Sequence, residues 1–313
     1  MVEHAFGINF DPNPDTTMKT THRRHFLRQA ALATGAALGY QHPWLHAAES
    51  KPHPICAFVK FLQDLSFEDL AATIKRLGFD GIEGTIRPGG QIPPNRVEED
   101  LPNLMAALKK EGLEMTIMAS GINRADDPVS VKTLQTASKL GIKRYRMNYY
   151  RYDLSKPVSR QLADFRSMAR DLADLNKELG IQALYQNHAG SRYLGSTLWD
   201  LSYLMRGIPV EHMAVGFDIR HAKVEGGMSW PVYWNMIQPH LGAVYVKDFL
   251  WKDNKVENVP LGKGWVDKAF FTQERLQAFD GPISLHVEYL QNAGLKPNTE
   301  ALETDLATLR EWL

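Results

Sequence analysis

The sequence predicts a single α/β domain, a (β/α)8 TIM barrel over residues 51–313, and three observations predict it. From Lys51 onward, short apolar β-prone runs alternate with longer amphipathic ones, the pattern of repeated βα units around a parallel sheet. Several of the amphipathic runs end in a glycine placed directly before the next apolar run, where it can release the chain from helix into strand. Setting aside residues 1–50 of the 313 leaves 263, a length that suits one barrel. A doubly wound open sheet would instead show a Gly-rich phosphate turn after its first strand, and Lys60-Phe61-Leu62-Gln63 has no glycine at all.

Taken in order, the strands are expected at Ile55 to Lys60, Gly81 to Thr85, Leu113 to Met118, Lys143 to Asn148, Gln182 to Asn187, Met213 to Asp218, Ala243 to Phe249 and Pro282 to Glu288. Helices fill the gaps, among them Phe67 to Leu77, Val97 to Glu111 and Gln161 to Leu179. The stop glycines are Gly78, Gly112, Gly141 and Gly180. Neither a low-complexity linker nor a second folded domain interrupts this alternation.

Residues 1–50 read differently. Thr21 to Leu27 is T-H-R-R-H-F-L, followed by a short stretch rich in Ala and Gly from Ala30 to Gly39, which resembles a twin-arginine export signal built on Arg23 and Arg24. A plain amphipathic helix is the alternative. Met18 is a second candidate start, and His46-Ala47-Ala48 loosely fits a cleavage site. Such a leader implies export of the folded protein to the periplasm; without it the protein is expected in the cytoplasm.

Composition removes other classes. Lys plus Arg equals Asp plus Glu at 36 each, so no basic field is present to capture nucleic acid. No apolar run approaches the roughly 20 residues that span a bilayer. The single cysteine, Cys56, cannot form an internal disulfide and reads as a small buried hydrophobe.

In such a barrel the chemistry lies at the C-terminal ends of the strands. Polar residues close the apolar runs there: Glu83, Arg146 with Asn148, Gln186 with Asn187 and His188, Asp218, Lys247 with Asp248, and His286 with Glu288. Strand side chains alternate, so Arg146 and Asn148 share a face, as do Gln186 and His188, Tyr245 and Lys247, and His286 and Glu288. Asn187 points the other way and is expected to be structural. Asp218-x-x-His221 sets a carboxylate and an imidazole at a strand exit, where both can face one divalent ion, although a capped helix start gives the same spacing. Glu288 supplies a second carboxylate.

At these residues a resemblance emerges. F-D-x-x-H-A, then V-K-D, then P-L-G-x-G-x-V-D, then D-G-P-I-S-L-H-V-E-Y, together with L-G-F-D-G-I-E at Leu77 to Glu83, resemble the sugar phosphate isomerase/epimerase superfamily of xylose isomerase-like TIM barrels. The resemblance covers nearly all of Phe67 to Leu313 and implies one divalent metal ion, manganese or zinc. Its ketose epimerases hold the ion with a Glu after strand five, an Asp after strand six, a His in strand seven and a Glu after strand eight. Asp218 and Glu288 match, whereas Gln186 and Tyr245 occupy the other two positions. Gln keeps an oxygen donor but loses the charge, and a tyrosine is a poor ligand unless ionised. His188 and His221, with Gln186, are the candidates to complete the set; sugar binding for His188 and rim packing for His221 are the alternatives.

The resemblance makes a keto sugar the expected small-molecule partner, isomerised or epimerised by α-proton abstraction through an enediolate. Glu288 is the expected base, Lys247 the electrophile and Glu83 a second acid/base or hydroxyl acceptor. A salt bridge from Lys247 to Asp248 or Glu288 is its structural alternative. Arg146, Asn148, Gln186, His188, Arg220 and Tyr245 are the expected substrate-binding set. Trp230, Trp234, Trp251 and Trp265 are sugar-stacking faces, core residues or contacts in a homo-oligomer. Competing functions are a lyase or hydratase on an oxidised sugar or glycoside, a non-catalytic carbohydrate-binding barrel, and a zinc phosphodiesterase. The last needs more ligand histidines and a basic surface.

Overall fold

Capped helix starts and glycine stops set the rhythm of the chain in the computed structural model, which describes residues 53–291 and 293–313. The expected export leader, with Met18, Arg23 and Arg24, lies outside them. Helix α1 (Phe67–Leu77) illustrates the unit. The Ser66 hydroxyl accepts from the Asp69 backbone N–H, acidic Glu68 and Asp69 occupy the first turn, and basic Lys75 and Arg76 the last. Leu70, Ala71, Ile74 and Leu77 form the buried stripe. Gly78 then takes φ +87° and turns the chain into β2 (Gly81–Ile86). The other three stop glycines also have positive φ.

The remaining barrel strands are β1 (Ile55–Phe58), β3 (Glu114–Ser120), β4 (Arg144–Arg146), β5 (Gln182–Gln186), β6 (Met213–Asp218), β7 (Leu241–Val246) and β10 (Ile283–Leu285). They pair in parallel and close in the order β1-β10-β7-β6-β5-β4-β3-β2. This is the eight-stranded barrel expected. Inside it, Cys56, Ile117, Leu184, Ala214, Ala243 and Tyr245 pack as one buried cluster, so the barrel is filled rather than hollow. A larger apolar layer lies between strands and helices, including α2 (Val97–Lys110), α3 (Pro128–Lys139), α4 (Val158–Leu179) and the C-terminal α9 (Leu295–Trp312). Burial pushes the Cys56 thiol up, as its place in the barrel interior requires.

Several expected boundaries shift. Strand seven ends at Val246 rather than Phe249, and Asp248–Lys252 forms β8, paired with β9 (Lys255–Val259) as an antiparallel hairpin outside the barrel. Asp253 and Asn254, both with positive φ, make its two-residue turn. Strand four stops at Arg146, before Asn148, and strand eight at Leu285, before Glu288. Among the described residues, no helix is long and apolar enough to cross a membrane.

Candidate active site

A cavity of about 160 Å3 opens where β1, β2, β4, β5, β7 and β10 end, lined by charged and aromatic side chains. A larger hollow of about 540 Å3 lies at the other end of the strands, among Leu113, Met115, Lys143 and Arg144. Parallel barrels carry their chemistry at the C-terminal end, so the smaller cavity is the candidate site.

Its floor is a chain of ion pairs and hydrogen bonds. Glu83, fully buried on β2, accepts from Arg146 Nε at 2.5 Å, from Ser284 Oγ at 2.6 Å, and lies 2.8 Å from His286 Nε2. Burial works to raise this carboxyl, but Arg146 and then His286 overcome it and hold the group down to about 2. Arg146 also donates to Gln186 Oε1 at 2.9 Å, and the Tyr149 hydroxyl donates to the same oxygen at 2.8 Å. Gln186 then turns its amide N–H toward Asp218 Oδ2, 2.8 Å away.

Asp218 has a second task. It is the N-cap of α6 (Ile219–Gly226), its Oδ1 accepting from the His221 backbone N–H at 3.0 Å. Lys247, directly beyond β7 and only 5% exposed, places its ammonium 3.0 Å from Glu288 Oε2 and 3.4 Å from Asp218 Oδ2. Burial would lower the Lys247 pKa, yet the two carboxylates raise it, and Lys247 in turn holds Glu288 well below the usual carboxylate range against its own desolvation.

The two histidines are neutral. Desolvation and then Lys247 bring His188 down to about 4 and keep His221 well below its ordinary value. His188 Nδ1 donates to the Ala189 carbonyl at 2.8 Å, which leaves an unprotonated Nε2 at the cavity. His221 Nδ1 accepts from Arg220 at 2.9 Å, so its proton sits on Nε2, which faces Asp218 Oδ2 at 3.6 Å without a hydrogen bond. Asn258 of the hairpin fixes the other end of Arg220 at 2.8 Å.

Of the expected site residues, Arg146, Gln186, His188, Lys247 and Glu288 line the cavity. Glu83 does not reach it, because Arg146, Ser284 and His286 occupy its oxygens. Tyr245 lies beneath the floor, fully buried, its hydroxyl without a partner, in space that Gly216 leaves: a Cβ there would come within 2.2 Å of the Tyr245 ring. Asn148 is exposed past the end of β4 and is not among the cavity residues. Asp218, His221 and Arg220 stand behind Gln186 and Lys247 rather than at the opening. Asn187 is structural, exchanging two hydrogen bonds with the Asp218 backbone.

Lys247 does not pair with Asp248. That carboxylate instead gathers the backbone N–H groups of Phe249, Gly262, Gly264 and Val266, between 2.7 and 3.0 Å. Trp234 is core and Trp230 packs on Phe270, whereas Trp251 and Trp265 are exposed away from the cavity. Phe58, Lys60, Arg87 and Tyr149 line the cavity without having been singled out. His286 was signalled by its shared face with Glu288, but not its hydrogen bond to Glu83.

Among the described residues, no group of three or more His, Cys, Asp or Glu side chains could hold a metal ion. The donor set explains why it does not fit one. The Gln186 oxygen faces two donors, His221 has no free lone pair, and an ammonium stands between Asp218 and Glu288.

A closed parallel barrel with paired carboxylates and cations at its C-terminal mouth defines the class: an α/β barrel with an enzyme-like polar cavity. The chain belongs to the xylose isomerase-like TIM barrel family, whose model matches residues 71–312. It is similar in structure to a putative xylose isomerase from Rhodospirillum rubrum, at 15% identity and TM-score 0.68 over 83% of this chain and 99% of that one. A 3-keto-D-glucoside 4-epimerase from E. coli superimposes at 20% identity and TM-score 0.62, covering 83% and 99%. A probable 3-DHS dehydratase of petrobactin synthesis from Bacillus anthracis does so at 15% and 0.64, covering 82% and 98%. No curated protein matches the sequence significantly. At these identities the likenesses establish the fold.

Proposed function

We propose that the protein is an isomerase or epimerase of a keto sugar that moves a proton at the carbon next to the carbonyl. The observation that carries this reading is the Lys247 ammonium 3.0 Å from the Glu288 carboxylate at the edge of the cavity. Glu288 removes the proton, the electron pair left on carbon passes to the carbonyl oxygen, and Lys247 donates a hydrogen bond to that oxygen. For an isomerisation Glu288 returns the proton to the former carbonyl carbon while the proton of the neighbouring hydroxyl passes to the charged oxygen, so that the carbonyl changes place. For an epimerisation water in the cavity delivers a proton to the opposite face of the original carbon and Glu288 releases its own to solvent. Arg146 and Gln186 hold hydroxyls, while Lys60 and Arg87, which pair with no carboxylate among the described residues, add positive charge at the opening. Family membership and the likeness to a 3-keto-D-glucoside epimerase support a carbonyl-bearing sugar.

A lyase or dehydratase shares the first step and then expels a β-substituent. The free Nε2 of His188 at the cavity favours it as a second reading, because an unprotonated imidazole there could take the α-proton and then hand it to the departing β-substituent. Incubation of keto sugars and 3-keto-glycosides in deuterated water distinguishes the outcomes. Deuterium next to the carbonyl with a sugar isomer as product is expected; an unsaturated product selects the lyase. Absence of both exchange and product across the panel, in a protein shown to be folded, sinks the proton-transfer reading. For the N-terminal segment we propose a twin-arginine leader, supported by Arg23-Arg24 and the short Ala- and Gly-rich run that follows.

A further inference from the structure

We propose that the Lys247 ammonium occupies the place of a divalent ion in this barrel, so that the protein works without a resident metal. Asp218 and Glu288 are the two carboxylates that the family pattern would turn toward an ion, and Lys247 bridges them at 3.4 and 3.0 Å. The neighbouring groups complete the substitution rather than leaving a vacancy. Asp218 Oδ1 is committed to the helix cap and Oδ2 accepts from Gln186 as well. Gln186 cannot turn its oxygen toward Asp218, because its NH2 would then face the Arg146 guanidinium and the Tyr149 hydroxyl. His221 presents an N–H rather than a lone pair, since Arg220 caps its Nδ1.

Charge points the same way. Three carboxylates, Glu83, Asp218 and Glu288, pair with Arg146 and Lys247, and Arg220 and Arg87 stand near enough to feel them, so positive charge at the site already at least matches negative. A dication added at Asp218 would add further uncompensated positive charge to a largely buried site, next to an ammonium. Replacing Lys247 by a neutral residue removes the cation that stands between Asp218 and Glu288 and leaves that place to a solvent ion.

The inference rests on the proton-transfer reading only for its kinetic arm. Protein purified without added metal should contain divalent ions at well below stoichiometric level, and excess chelator should change proton exchange less than twofold. Manganese chloride should not raise the wild-type melting temperature, whereas Lys247→Met should gain a manganese-dependent upshift. Stoichiometric manganese or zinc in the wild type, with loss of exchange on chelation and recovery on re-addition, would overturn the proposal. So would a wild-type upshift with manganese as large as that of the variant. Where Lys247→Met does not fold, wild-type metal content and the wild-type manganese shift decide. Failure of every sugar to exchange would count against the proton-transfer reading alone, because those two measurements need no substrate.

Discussion

His286 Nε2 lies 2.8 Å from Glu83 Oε2 beneath the cavity, and its other ring nitrogen faces Glu288 Oε1 at 3.8 Å. The ring, stacked on Phe58 at 4.4 Å between centroids, links a carboxylate outside the cavity lining to one within it. Glu83 thereby orients Arg146 and His286, both of which line the cavity.

Glu83→Gln tests that role through pH. Glu83 is held down to about 2, below its unfolded value near 4.5, so its contribution is fully present above pH 4.5 and is lost as pH falls toward 2. At neutral pH the variant should be less stable by about 3 kcal/mol, with Arg146 left without its partner. Its acid unfolding should be shallower between pH 4.5 and 2. Chemical denaturation across that range checks both, and parallel pH profiles for the two proteins would count against the buried pair.

Lys247→Met should lower turnover by two orders of magnitude or more, about 2.7 kcal/mol of transition-state stabilisation, while substrate binding changes only a few-fold. Removing the lysine also strands Asp218 and Glu288, so a lower melting temperature is expected alongside. Turnover per folded molecule is the deciding measurement. A normal value there assigns Lys247 to the scaffold.

Tyr245→Phe removes a fully buried hydroxyl that has no partner. Stability should rise by about 1 kcal/mol, and turnover should stay within twofold. A tenfold loss of turnover would place the hydroxyl in contact with substrate, in conflict with its position under the floor.

Arg23→Lys combined with Arg24→Lys keeps both charges and should trap the full-length protein in the cytoplasm. Fractionation of cells expressing each form checks this. Undiminished periplasmic recovery would return the N-terminal segment to an ordinary helix.

The strands were legible because most centre on apolar residues buried on both faces, as in Ile55–Phe58 and Leu241–Val246, and helix stops such as Gly78 mark where the next begins. The period-2 rule located Arg146, Gln186 and His286 correctly but was carried past the ends of strands. Asn148 lies two residues beyond the end of β4, where alternation no longer applies, and it faces solvent. Asp248 and Phe249 continue the β-prone run of strand seven in composition, yet the Asp248 carboxylate captures backbone amides of a later loop and starts a hairpin instead. The Glu83–Arg146 pair was invisible for a different reason. Its partners are 63 residues apart, and only barrel closure brings them together.

The Asp248 carboxylate that gathers four backbone amides stands immediately after Lys247. It ties both ends of the excursion from Phe249 to Val266 to one point, so the hairpin tip hangs from the barrel as a side branch. Changes of length or sequence around Asp253 and Asn254 can therefore accumulate without shifting the lysine next door. The arrangement leaves the outer turn of the hairpin free to vary while the Asp248 anchor holds the chain in place beside Lys247.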